Sequence, residues 1–334
     1  MSEILEFIGG IAFFLFGMTV MSRGLQAFAG EGLSEALSRL CRTPLRGVAV
    51  GALVTAAIQS STATTVMVVG FVNAGVMTLG QAVGVIMGAN LGTTVTAWLL
   101  SLSALGGATP IFSLFRATTL SPLAALIGVA LIMVSKNERR WQLGMGLAGL
   151  GVLFAGMEAM TVAVAPLAEN PQFAELLTFF SNPLAGVLAG ALLTAILQSS
   201  SASIGVLQSF AATGVIGVGL AVPVIMGQNI GTCVTTLLSS VGAEPNARRA
   251  ALLHLYFNVA GTVLLLPVFL LLYQAKIIPV LALTEGGVAL VHTVFNVLSV
   301  ALLLPAGNLL LSLAGRSVRD GMRRKERVLR RGRR

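Results

Sequence analysis

The sequence predicts an all-α integral membrane protein. It comprises two inverted-topology repeats, each with a re-entrant helical hairpin and a broken transmembrane helix. Three observations predict this: composition, an internal repeat, and the placement of the cations. Of 334 residues, 56% are hydrophobic and 10% charged, where a soluble domain carries about 25% charged residues. The mean hydropathy is +0.92. These values exclude a disordered chain, a nucleic-acid-binding domain and an ordinary cytosolic enzyme.

The repeat has an offset of 139: residues 44–96 align with 183–235 without a gap, with 28 identities in 53 positions. Gln59-Ser60-Ser61-Thr62-Ala63-Thr64 matches Gln198-Ser199-Ser200-Ser201-Ala202-Ser203. Met87-Gly88-Ala89-Asn90-Leu91-Gly92-Thr93 matches Met226-Gly227-Gln228-Asn229-Ile230-Gly231-Thr232. Scattered Gly, Ala and Leu matches arise by chance in an apolar chain. Two polar motifs in one register do not.

The net charge is +9, and ten of the 21 cations lie in residues 316–334. Segment 22–46 carries Arg23, Arg39, Arg42 and Arg46, whereas its partner 161–185 carries no cation and has Glu169 and Glu175. Linker 103–113 is uncharged, while its counterpart region holds Arg248 and Arg249. Cytoplasmic loops are enriched in Lys and Arg. The halves are therefore inverted, with an odd number of crossings in each.

One threading satisfies the basic loops. Residues 1–136 form the first repeat, with the N-terminus outside and 4–22 crossing inward. Residues 24–43 form an amphipathic interfacial helix, with Leu33, Leu37 and Leu40 on one stripe. Residues 47–73 form the hairpin, 79–101 the broken helix and 111–135 a crossing back. Residues 142–275 repeat the plan upside down, with a crossing at 142–160, a hairpin at 184–212, a broken helix at 218–240 and a crossing at 250–273. An extra crossing, 286–312, returns the basic tail 316–334 to the cytoplasm. Of 21 cations, 19 then lie inside; Arg116 and Lys276 do not. A twelve-residue limb such as 47–58 reaches about 18 Å as a helix, short of a hydrocarbon core of about 30 Å. The alternative is one long tilted helix, since no Gly or Pro marks the tip.

Gln59, Ser60, Ser61, Thr62, Thr64 and Thr65 are consecutive or nearly so, and point around all faces of a helix. A hairpin tip would let them converge on a ligand, as would Gln198, Ser199, Ser200, Ser201 and Ser203 in the second copy. The alternative is helix–helix glue or bonding to carbonyls one turn back. Gly88 and Gly92 flank Asn90, and Gly227 and Gly231 flank Asn229. Paired glycines favour a helix break that exposes carbonyls for Na⁺ and N–H groups for an anion. Close helix packing is the competing explanation. No acid or base lies in these motifs, which suits Na⁺ better than a proton. His254/Asn258 and His292/Asn296 are i, i+4 pairs read as interhelical hydrogen-bond partners. Arg116 is read as a cation snorkelling to the interface. No His/Cys cluster marks a metal centre and no nucleophile–base pair marks an enzyme.

The duplicated Gln-Ser-Ser-(Ser/Thr) motif, followed in each half by Asn-x-Gly-Thr at 90–93 and 229–232, resembles the type II sodium-phosphate cotransporter family. The resemblance spans roughly residues 4–312. It implies secondary active transport of inorganic phosphate coupled to Na⁺, by alternating access in a cell inner (plasma) membrane. It assigns substrate and ion binding to Gln59, Ser60, Ser61, Thr62, Gln198, Ser199, Ser200 and Ser201, and extends to Asn90, Thr93, Asn229 and Thr232. Thr64 and Ser203 complete the candidate set. Na⁺ is expected within Gln59, Ser61, Gln198, Ser200, Asn90 and Asn229, with no other cofactor. Many bacterial members carry a C-terminal cytoplasmic regulatory domain, and the expectation here is a member without it. A homo-oligomer stays open. The rivals are a carrier for another small oxyanion or dicarboxylate, and a non-transporting scaffold or sensor acting through the basic tail.

Overall fold

The computed structural model describes residues 2–29, 40–41, 43–102, 117–166, 170, 172–173, 180 and 182–318. Among these, twelve helices account for the regular structure, with one isolated bridge between Gly217 and Ala282. In chain order they are α1 (Ser2–Ala29), α2 (Pro44–Ile58), α3 (Ser61–Asn73), α4 (Leu79–Ser101), α5 (Ala117–Val134) and α6 (Glu138–Val164). There follow α7 (Pro183–Leu197), α8 (Ser200–Ala212), α9 (Val218–Ser239), α10 (Pro245–Gln274), α11 (Glu285–Leu303) and α12 (Gly307–Ser317). Six of these, α1, α4, α6, α9, α10 and α11, are long and apolar enough to cross a membrane. The chain is an α-helical multi-pass membrane protein.

The small residues build the frame. On α1, Gly10, Gly17 and Gly24 face the backbone of Met160, Leu153 and Gly146 on α6. The paired numbers fall as those on α1 rise, so the two helices run antiparallel with almost no side chain between them. Large apolar residues of α1, including Ile4, Leu5, Ile8, Phe13 and Phe16, face outward, as a bilayer-facing helix requires.

α4 and α9 occupy the centre, with 78% of each apolar window buried. A Cβ on Gly84, Gly88 or Gly92 would collide with the carbonyl of Pro44, Val48 or Ala52 on α2. These pairs ascend together, so α2 and α4 run parallel in close contact. Gly227 and Gly231 meet Val187 and Ala191 on α7 in the same way. Thr43 and Pro44, at the start of α2, share a cleft with Thr78, Gly80 and Gln81, at the start of α4. The chain between them must therefore travel out and back. α3 is the returning limb.

Four expectations are corrected. α4 and α9 are continuous helices, not broken ones. Their glycines serve close approach to α2 and α7 instead of opening the backbone. The breaks lie one element earlier, at residues 59–60 and 198–199. α1 runs on to Ala29, so 24–29 do not belong to an interfacial helix; residues 30–39 and 42 lie outside the described residues. The crossing expected at 286–312 is two helices separated at 304–306, because Pro305 has no N–H to continue the ladder. Arg116 and tail residues 319–334 also lie outside the described residues.

Candidate functional site

Each Gln-Ser-Ser motif is a helix-to-helix turn. Gln59 ends α2 with φ 56°, and Gln198 ends α7 with φ 54°. This left-handed conformation is costly for a residue with a Cβ, on the order of 1–2 kcal/mol. The next residue returns to extended geometry and caps the following helix. Ser60 accepts from the Ala63 amide at 3.1 Å, and Ser199 from the Ala202 amide at 3.2 Å. Ser is among the best residues for this position. The first intrahelical amides are Thr64 N to Ser60 O and Ser203 N to Ser199 O. The amides of Ser61, Thr62, Ser200 and Ser201 precede those bonds, so they have no intrahelical acceptor.

The two turns share one cavity of about 340 Å³. Its lining includes Gln59, Ser60, Ser61 and Thr62 from the first half and Gln198, Ser199, Ser200 and Ser201 from the second. Eight motif residues separated by 139 positions are thereby brought together. Gln59 is buried, with its Oε1 partnerless among the described residues; Gln198 is exposed. Thr64 and Ser203 are fully buried behind the lining. Thr64 accepts from Thr55 Oγ1 at 2.9 Å, whereas Thr194 Oγ1 and Ser203 Oγ find no partner among the described residues.

Asn90, Thr93, Asn229 and Thr232 are not brought into this cavity. The Asn90 amide donates to Asn258 Oδ1 at 2.5 Å, and Asn90 Oδ1 lies 3.1 Å from His254 Nε2. Asn229 repeats this with Asn296 at 2.8 Å and His292 at 3.3 Å. The His/Asn pairs of α10 and α11 are thus interhelical partners of α4 and α9. Thr93 and Thr232 hydroxyls bond the Ala89 and Gln228 carbonyls one turn back. A chain also joins the two halves: Thr65 Oγ1 lies 3.0 Å from Thr236 Oγ1, which lies 3.2 Å from His254 Nδ1.

A third contributor carries neither motif. α1 lines the cavity with Leu15, Met18, Thr19, Ser22, Arg23 and Gln26. Ser22 Oγ donates to the Ile58 carbonyl at 2.9 Å, and Gln26 Nε2 to Ser22 Oγ at 3.1 Å. Ser199 Oγ lies 3.5 Å from Met18 Sδ, so α1 touches both turns. The signal was present in the sequence: Thr19, Ser22, Arg23 and Gln26 follow i, i+3, i+4, i+7 spacing on an apolar helix. Among the described residues no group of three His, Cys, Asp or Glu could hold a metal ion.

Comparison with known proteins follows the same division into halves. The family model described as Na⁺/Pi-cotransporter matches residues 13–162 and again 163–303. YqeW of Bacillus subtilis, whose name records no function, is 32% identical over 79% of this chain and 82% of its own length. YjbB of Escherichia coli, provisionally named for inorganic phosphate export, is 30% identical over 80% of this chain and 47% of its own length. Human sodium-dependent phosphate transport protein 2B is 38% identical over 32% of this chain and 16% of its own length. No solved structure matches. With both halves matched over nearly the whole span of helices, this chain belongs to the Na⁺/Pi-cotransporter family, a family of transporters and not of enzymes.

Proposed function

We propose that this protein moves inorganic phosphate across a membrane with Na⁺ as coupling ion, by alternating access at the cavity between the two Gln-Ser-Ser turns. The observation that carries this is the convergence of two helix N-termini, those of α3 and α8, on one cavity lined by hydroxyls and amides. Each N-terminus behaves as roughly half a positive charge. Free amides there are ready donors to an oxyanion. Serine and threonine hydroxyls add further donors without a permanent charge.

Na⁺ suits the remaining oxygens. Gln59 lines the cavity and its buried Oε1 has no partner among the described residues, and Thr194 Oγ1, Ser203 Oγ and Gln228 Oε1 are likewise without one there in the second half. Neutral oxygens of this kind coordinate hard cations. Of the residues expected to hold Na⁺, Gln59, Ser61, Gln198 and Ser200 fit this role; Asn90 and Asn229 already have amide and imidazole partners. Names of the relatives point the same way, to sodium-dependent phosphate transport and to phosphate export.

Inverted topology is supported by the antiparallel packing of α1 and α6, which are equivalent at offset 139, and by the cation asymmetry of the loops. On this reading α2–α3 and α7–α8 are re-entrant hairpins entering from opposite faces, with the basic tail cytoplasmic in a plasma membrane. Exposed Gln198 against buried Gln59 fits a state open on one side.

The test is labelled phosphate flux in vesicles containing the purified protein. Uptake should require an inward Na⁺ gradient and should be competed weakly by sulfate or dicarboxylates. Uptake unchanged when Na⁺ is replaced by choline would overturn the coupling. Stronger competition by another oxyanion would reassign the substrate.

A further inference from the structure

Among the described residues Arg23 is the one ionisable side chain lining the cavity, and none of them brings a carboxylate to that lining. It lies on α1, six residues before the helix ends at Ala29, about 9 Å from that end. The adjacent Ser22 fixes this turn of α1 to the Ile58 carbonyl, one residue before the left-handed Gln59. Arg23 is exposed, so it stands at the mouth of the cavity. The duplication does not explain it: the position at offset 139 is Val162, which is 61% exposed and absent from the lining. Two copies of the motif thus supply two neutral tips, while α1 alone supplies a full charge.

We propose that Arg23 is an anion-binding residue, which draws the oxyanion to the mouth of the cavity. The inference rests on the phosphate reading above. Helix N-termini and hydroxyls give fixed dipoles that hold any small oxyanion. A guanidinium adds a monopole, whose attraction falls off more slowly with distance than that of the dipoles. Its fork can also take two oxygens of one phosphate at once. Because the group is solvent-accessible, its long-range pull weakens with salt over a Debye length of about 10 Å at 0.1 M. A side chain that merely filled space would confer no such salt dependence.

The test uses the full chain in vesicles, with Arg23→Gln, Arg23→Lys and, as a control, Arg140→Gln, an exposed position outside the cavity. Ionic strength is varied with choline chloride at fixed Na⁺. Loss of one charged hydrogen-bonding group predicts a rise in KM for phosphate of about tenfold or more in Arg23→Gln. Its maximal rate should stay within about twofold of the parent, and the rise of KM with salt should vanish. Arg23→Lys should keep the salt dependence, and Arg140→Gln should behave as the parent. An Arg23→Gln protein with parental KM and parental salt dependence overturns the proposal. Calorimetric titration of the purified proteins with phosphate and with sulfate separates this from the substrate reading. If the parent carries no phosphate, that reading fails, and weaker anion binding in Arg23→Gln still supports the role of Arg23. Equal anion binding in the two proteins, or none in the parent, overturns it. If Arg23→Gln does not fold, a parental KM insensitive to salt overturns it equally.

Discussion

His254 Nε2 lies 3.1 Å from Asn90 Oδ1 in the buried centre of the molecule. The Asn90 amide is also engaged, with Asn258. Asn90 is therefore spoken for by a neighbouring helix and has little left for a ligand. Asn90→Ala would leave His254 and Asn258 with lost partners, at a cost of about 1 kcal/mol inside a membrane protein. Thermal unfolding should move down by a few degrees, while KM for phosphate stays within about twofold. A large rise in KM at unchanged stability would restore Asn90 to the binding site.

Gln59 and Gln198 carry two burdens at once, a left-handed backbone and a side chain at the cavity. Glycine accepts that backbone without steric cost. Gln59→Gly and Gln198→Gly should therefore fold, with stability within about 1 kcal/mol of the parent, and yet transport poorly. The double replacement Gln59→Ala, Gln198→Ala should abolish phosphate flux. Wild-type flux in that double variant would remove the proposed site.

Gly88 and Gly227 sit where α4 and α9 touch the backbones of α2 and α7. Gly88→Leu should push the helices apart and destabilise by about 1–3 kcal/mol or more, seen as lower folded yield in detergent. Gly80 meets nothing within 4 Å, so Gly80→Ala should fall within about 0.5 kcal/mol of the parent. Equal tolerance at both positions would show that close packing is not what these glycines provide.

Removal of residues 319–334, with nine of the 21 cations, should leave the rate of phosphate flux within about twofold, since α12 and the hydrogen bonds of Arg249 to the Val318 carbonyl stay intact. A scaffold or sensor working through this tail would instead lose its function while the helices remained intact. Flux and partner recruitment measured on the same truncated protein separate the two.

Much of the architecture was legible in the residues. Hydropathy located the spans because a bilayer demands apolar length. The offset of 139 exposed the duplication. The helices Pro44–Ile58 and Pro183–Leu197 start within a few residues of the segments expected at 47 and 184, since Pro44 and Pro183 open them. The helix break was misplaced for a physical reason: Gly88 and Gly92 weaken a helix and also permit close approach, and local sequence does not distinguish these effects. The turns at Gln59 and Gln198 were expected, as hairpin tips, but with one long tilted helix as the alternative, because no Gly or Pro marks them and left-handed glutamine is unusual. A capping serine after each one was the available clue.

Composition, periodicity and the repeated motifs were enough to establish a duplicated helical membrane protein with two neutral polar tips, because these depend on near neighbours along the chain. Packing across the halves decided the rest. It brought Gln59–Thr62 and Gln198–Ser201 to one cavity, turned Asn90 and Asn229 toward the His/Asn pairs of α10 and α11, and set Arg23 of α1 beside both tips. Those relationships depend on which helix faces which across more than a hundred residues, and no local pattern encodes such a pairing.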